Sequence, residues 1–286
     1  MPNEGSFSPA AAVAAAPSAF RDALSLALDA GSAAAALVRG RAGAAEVREK
    51  ARADLVTAVD EAAERVIAER VRARFPGDVV VGEELSSEAR VRSGRRWIVD
   101  PIDGTTNFVH GHPFVCVSVA FADDEGVAVG VLDAPFLGEV YHAVRGGGAF
   151  LNGRPLRVSE VDDFGRSLLA TGFPFKSGKG RLDTYMRLVG DAVRATHDVR
   201  RAGSAALDLA FVAAGRVEGF FEIGLAPWDV AAGMLLVTEA GGRVTGWPGD
   251  AEEPLWSGRV LATNGRVHGA LEELTERYVG ELLEAG

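Results

Sequence analysis

Residues 97–114 read WIVDPIDGTTNFVHGHPF. An apolar run, Trp97-Ile98-Val99, ends on Asp100. Pro101 and Ile102 follow, then Asp103 and Gly104-Thr105-Thr106. Two carboxylates so close repel each other and resist burial. Turn and cap hydrogen bonds could hold them; so could cations. Gly104-Thr105-Thr106 could open a helix, and free N–H groups at such a start bind phosphate or other anions. One short segment therefore offers carboxylates for cations and donors for an anion, with metal ions able to bridge the two.

Three further places carry acids in comparable positions. Glu83 and Glu84 follow the strand-like VVVG. Asp229 falls in the first turn of a helix that Pro227 opens and Gly241-Gly242 closes. Asp60 stands at another helix start, in DLVTAVD. One acid in a first helical turn is an ordinary dipole partner; acids at strand ends and helix starts in both halves of the chain point to joint use. The candidate ligands are nearly all oxygen donors. The histidines form no HxxxH pair on a helix, and His110 and His112, flanking Gly111, read as loop residues. Hard oxygen sites favour Mg²⁺, with Mn²⁺ possible, over structural zinc. No GxSxG supports Ser/His/Asp catalysis.

The elements that must position these acids can be read from periodicity. An Ala- and Leu-rich helix spans about 18–40, and an amphipathic one 61–74, started by a capping box from Thr57 to Asp60. Short strands at 78–82, 96–100, 114–122, 126–133 and 138–144, with turn-like connections, read as an antiparallel meander. The glycines 146–148 read as a hairpin bend. After about 157 strands alternate with helices: 167–172 before 181–196, 198–201 before 204–214, 217–222 before 227–240, and 259–264 before 266–284. That alternation suggests a second layered sheet. The expected organisation is a disordered extension over 1–17, an α+β half over 18–156 and an α/β half over 157–286. FPFKSGKGR (173–181) reads as a basic, mobile surface loop.

The chain has 286 residues, 48% hydrophobic and 24% charged, enough for a substantial core. Its formal net charge of −10 disfavours direct binding to nucleic acid or anionic lipid, and bound cations would be needed to attract an anionic substrate. The single cysteine, Cys116, excludes an internal disulfide and reads as a buried structural thiol in a reducing compartment. The N-terminus has no basic n-region, and no uninterrupted apolar segment approaches the roughly 20 residues of a membrane span. The expected location is cytoplasmic.

Taken together, DLVTAVD, GEE, WIVDPIDGTTNFVHG and PWDVAAGMLLVTEAGG resemble the inositol monophosphatase family of Mg²⁺-dependent, lithium-sensitive phosphatases. RRAGSAALDLAFVAAGRVEGFFEIGLAPWD (200–229) resembles its bacterial branch. The resemblance implies a layered α/β/α/β/α fold, antiparallel sheet in the N-terminal half and smaller mixed sheet in the C-terminal half, with the site between them. It implies two or three Mg²⁺ ions. Glu83, Asp100 and the Ile102 carbonyl would hold the first; Asp100, Asp103 and Asp229 the second; a weak third would lie near Glu83. Asp60 and Thr105 would activate the attacking water. The Gly104 and Thr105 backbone would hold the phosphate, and Gly203-Ser204-Ala205 with Glu222 would contact the polyol hydroxyls.

The implied activity is hydrolysis of myo-inositol 1-phosphate or related polyol phosphates, by a homodimer. Histidinol phosphate, fructose 1,6-bisphosphate and 3′-phosphoadenosine 5′-phosphate are substrates of relatives. A regulatory, protein-binding role is the alternative of a different class. One departure is local: animal members carry a lysine on the loop before DLVTA, where Lys50 is the nearest lysine here.

Overall fold

The computed structural model describes residues 7–41, 47–51, 54–85, 91–174 and 179–283. Its centre is a seven-stranded sheet. β3 (Val79–Gly82), β4 (Arg96–Asp103), β5 (Cys116–Asp123), β6 (Gly126–Ala134), β7 (Glu139–Val144), β8 (Gly148–Leu151) and β9 (Arg154–Pro155) lie side by side in that order. A separate hairpin of β1 (Val47–Ala51) and β2 (Asp54–Thr57) precedes them. The meander reading holds from β4 onward. It is corrected at β3, which pairs with β4 in parallel; parallel neighbours cannot be joined by the tight turn of a meander.

Period-2 alternation sorts the strand residues between two cores. Trp97, Val99, Val119, Phe121 and Val129 pack under α2 (Arg21–Gly40) and α3 (Ala58–Arg74). Ile98, Cys116, Ala120, Leu132 and Tyr141 face the other way, onto α6 (Ala205–Ala213) and α7 (Pro227–Glu239). These two helices are apolar almost all round, as helices covered on both sides must be.

Beyond them lies a five-stranded mixed sheet. β10 (Leu168–Thr171), β11 (Asp198–Arg200), β12 (Gly219–Ile223), β13 (Arg243–Thr245) and β14 (Arg259–Thr263) run in the spatial order β11-β10-β12-β14-β13. β11, β10 and β12 are parallel, and β14 is antiparallel to both β12 and β13. Its outer face packs Leu169, Phe221 and Leu261 against α5 (Lys179–Ala195), α9 (His268–Glu276) and α10 (Val279–Leu283). The succession helices, large sheet, helices, small sheet, helices is the five-layer α/β arrangement that the family resemblance implied.

Four expectations are corrected. Residues 9–15 of the expected disordered extension form a helix, α1 (Pro9–Ala15), capped by Ser8, with Ala16 buried behind it; its proline start and alanines suit a helix. Residues 1–6 lie outside the described residues. Residues 18–40 do have the length and apolarity of a membrane span. In this fold that apolarity is a stripe, Leu24, Ala27, Gly31, Ala34 and Val38, buried against α3 and the sheet. The expected helix 266–284 is broken at Arg277-Tyr278, where Tyr278 Oη donates to Asp191 at 2.7 Å. In the basic loop, Phe173 packs against the outer core and Arg201 lies over its ring at 5.2 Å. Residues 175–178 of that loop, and the Lys50 side chain, lie outside the described residues.

Candidate active site

The spacing of Asp100 and Asp103 has a structural answer. Residues three apart on a regular strand point to opposite faces. Here Asp100 pairs with Ser118 and Asp103 with Cys116, so three steps on β4 oppose two on β5. This one-residue bulge spans Pro101-Ile102, where proline has no N–H to donate. The bulge returns Asp103 to the face of Asp100, toward α6 and α7, while Ile102 packs in the opposite core.

Neighbouring elements then hold each acid. Asp100 is 1% exposed, and its Oδ1 accepts the Ile102 N–H at 2.9 Å. Asp103 Oδ2 accepts the Ser204 hydroxyl and the Ala206 N–H, both at 2.7 Å, at the start of α6. Asp229 Oδ2 accepts the Ala226 N–H at 2.7 Å, in the first turn of α7 after Pro227. Asp60 closes the expected capping box, its Oδ2 accepting the Thr57 N–H at 2.9 Å. Its other oxygen accepts from Thr105 Oγ1 at 3.2 Å. That hydroxyl also lies 3.1 Å from the Ile102 carbonyl. Asp60 and Asp229 are thus helix-cap residues, and Asp229 also lines the cavity beside the acids. Glu83 follows β3 directly and is partly buried.

Electrostatics ties these acids together. Burial raises the Asp100 pKa well above the usual carboxylate range, and the charges of Glu83, Asp103 and Asp229 raise it further. Burial pushes Asp103 up to about 6, opposed by its bonds from Ser204 and Ala206 and by Arg201. Burial also raises Asp60, against the pull of Thr57 and Thr105. A divalent cation would reverse this penalty by favouring the ionised forms. The donor set, four carboxylates with a backbone carbonyl beside them, fits a hard ion such as Mg²⁺ or Mn²⁺. Among the described residues, no three histidine, cysteine, aspartate or glutamate side chains are gathered closely enough to hold a metal as they stand. The fit therefore rests on donor chemistry and mutual charge, not on a ready coordination sphere.

Beside the acids lies a cavity of about 180 Å³. Asp103, Asp229, Gly203, Ser204, Ala205 and Glu222 line it, so both halves of the chain contribute. Glu222 on β12 is pushed up to about 8 by burial and by Asp229, with Arg201 opposing. A Cβ at Gly172 would lie 2.0 Å from Glu222 Oε1, so only glycine admits the carboxylate there. α4 (Thr105–Val109) opens as expected, with Gly104 at φ +99°. A Cβ on Gly104 would meet the Phe114 carbonyl at 3.0 Å and the Gly203 carbonyl at 3.2 Å, which brings the two loops together.

Sequence reading misses several contributors. Asn107 Nδ2 donates to the carbonyls of Phe114 at 2.8 Å and Ala202 at 2.9 Å, stapling α4 to the Gly203 turn. Arg201, Phe173 and Asp208 also line the cavity. Asp208 is buried and its pKa raised, first by desolvation and then by Glu222 and Asp103. Its one sequence signal is an acid inside the otherwise apolar SAALDLAFVAA. Cys116 is buried, its thiol pushed well up by desolvation and nearby acids, in keeping with a structural role. His110 and His112 are exposed loop residues.

Comparison with known proteins adds an independent line. The profile of the inositol monophosphatase family matches residues 20–284. The Nus factor SuhB of Escherichia coli is 46% identical over 224 residues, covering 78% of this chain and 83% of that protein. The inositol-1-monophosphatase of Synechocystis is 41% identical over 229 residues, covering 80% and 79%. The solved structure of inositol monophosphatase from Anabaena superposes with a TM-score of 0.79 at 37% identity, covering 88% of this chain and 94% of that one.

Proposed function

The chain belongs to the inositol monophosphatase family, and on that premise we propose that it is a Mg²⁺-dependent phosphomonoesterase acting on myo-inositol 1-phosphate and related polyol phosphates. The observation that carries this reading is the bulge that turns Asp100 and Asp103 to one face, in electrostatic reach of Glu83 and Asp229 and beside the cavity. Glu83, Asp100 and the Ile102 carbonyl would hold one ion; Asp100, Asp103 and Asp229 a second; a weaker third would lie near Glu83. When bound, such ions lower the pKa of water and stabilise the leaving alkoxide of an in-line displacement.

The protein's own groups supply the rest. Thr105 donates its hydroxyl proton toward Asp60, leaving the oxygen free to accept from the attacking water. Asp60, buried with a raised pKa, takes up the proton. The Gly104-Thr105 backbone would bind the phosphate, and the Gly203–Ala205 turn and Glu222 the polyol hydroxyls. A neutral polyol suits a wall on which Glu222 and Asp208, beside Arg201, offer hydrogen-bonding groups to its hydroxyls. Lithium sensitivity, a homodimeric state and a cytoplasmic location complete the proposal by family resemblance.

A second reading has one observation behind it: the relative 46% identical is named a Nus factor. A binding role alongside catalysis would use a protein partner in preference to bare nucleic acid, given the net charge of −10.

The test is phosphate release by the purified protein from inositol, histidinol, fructose bisphosphate and adenosine nucleotide phosphates, with Mg²⁺ and after chelation. Turnover concentrated on inositol 1-phosphate supports the proposal. Turnover concentrated on another substrate moves it to that branch, and no release from any by folded protein brings the binding role forward.

A further inference from the structure

Glu64 lies on α3, one turn after Asp60, and is 1% exposed. Burying a carboxylate is unfavourable unless donors compensate. Both of its oxygens find donors in one short turn. Glu64 Oε2 accepts the Glu84 N–H at 2.6 Å and Oε1 accepts the Leu85 N–H at 3.0 Å. A Cβ on Gly82 would lie 2.2 Å from Glu64 Oε1, so the chain passes the carboxylate at a distance that only glycine permits. Residues 82, 84 and 85 therefore all touch this one side chain, and they bracket Glu83.

Charge-assisted bonds to two successive N–H groups fix two peptide planes. The direction of the Glu83 side chain follows from that backbone. Glu83 is also the neighbouring charge that weighs most on Asp100, so the bracketed acid faces the cluster. Asp60 and Glu64, four residues apart, share one helix face. α3 thereby carries the proton-accepting acid and grips the segment that bears a cation-binding acid.

We infer that Glu64 is a positioning residue for the cation site: its carboxylate clamps the Gly82–Leu85 turn so that Glu83 stands opposite Asp100 and in fixed relation to Asp60. The inference rests on Glu83 being a Mg²⁺ ligand.

The experiment is calorimetric titration of Mg²⁺ into the full chain without substrate, for wild type, Glu64→Gln and Glu64→Ala. Each variant's melting temperature is measured in chelator. Glutamine keeps one accepting oxygen but sets an NH₂ against an N–H, so it loses one of the two bonds. Leu274→Ala, in the outer core of the other half, controls for loss of stability alone. The expected result is Mg²⁺ affinity lowered about 10-fold or more in Glu64→Gln, in line with what partners of metal ligands contribute, and further in Glu64→Ala. Leu274→Ala should bind as wild type does. Folded Glu64 variants with wild-type affinity would overturn the inference, as would an equal loss in Leu274→Ala. A wild type that binds no Mg²⁺ would instead remove the reading of the acid cluster on which it rests.

Discussion

Replacing Gly104 by alanine probes how the two halves meet at the site. Gly104 has φ +99°, outside the range alanine adopts comfortably, which costs about 1–2 kcal/mol. The new Cβ would also approach the Phe114 carbonyl to 3.0 Å and the Gly203 carbonyl to 3.2 Å, both backbone atoms that yield little. Overpacking of this kind adds about 1–3 kcal/mol. Gly111 separates the two effects, because its φ is +70° and a Cβ added there would meet no atom within 4 Å. Gly111→Ala should thus lose only the strain, and Gly104→Ala the strain plus the contact. At about 2–4 °C per kcal/mol, Gly104→Ala should melt about 4–20 °C lower than wild type. It should also displace Thr105 from Asp60, and a shift of about 1 Å lowers turnover about 10²-fold. The assay is thermal melting in chelator alongside phosphate release. Equal losses of stability in the two variants, or wild-type turnover in Gly104→Ala, would show that the close approach of the two loops does not matter.

Asp100→Asn should lower phosphate release by about 10³-fold or more while leaving the fold intact, since several kcal/mol of charge stabilisation depend on this carboxylate; steady-state turnover near wild type would contradict its bridging role. Glu222→Gln should change the ratio of kcat/KM values between inositol 1-phosphate and other phosphates more than it changes kcat, as a substrate-panel comparison would show. Asp133, buried on β6, is pushed up to about 6 by desolvation, against Arg39. A raised carboxylate contributes stability that is full below its unfolded pKa of 3.8 and lost as pH rises through about 6. Asp133→Asn should therefore stabilise the protein by about 3 kcal/mol at pH 7 and by almost nothing at pH 3.5, measured by denaturant unfolding at the two pH values.

The layered fold is legible in the sequence because its signals are local. The apolar run Trp97-Ile98-Val99, the Thr57–Asp60 capping box and Pro227 at the start of α7 each specify an element from adjacent residues. The acids are legible for the same reason, since they sit at ends of elements that the sequence marks. The bulge is not, because a register shift is defined only against the partner strand β5. Asp208 and Arg201 escape notice because what matters about them is the cavity they line with Glu222, on β12. Glu64 reads as one polar position of an amphipathic helix; its role depends on a turn 20 residues away. The parallel pairing of β3 with β4 is likewise a long-range choice that the pattern of either strand leaves open.

Whether the acid cluster is a catalytic metal site can be decided by phosphate release from myo-inositol 1-phosphate, followed before chelation, after chelation, and after Mg²⁺ is restored to the purified protein. Turnover should disappear with the metal and return with it in wild type, but should not return in Asp100→Asn. Release that survives complete chelation, or that Mg²⁺ restores equally in Asp100→Asn, would contradict a metal-dependent phosphatase built on this carboxylate.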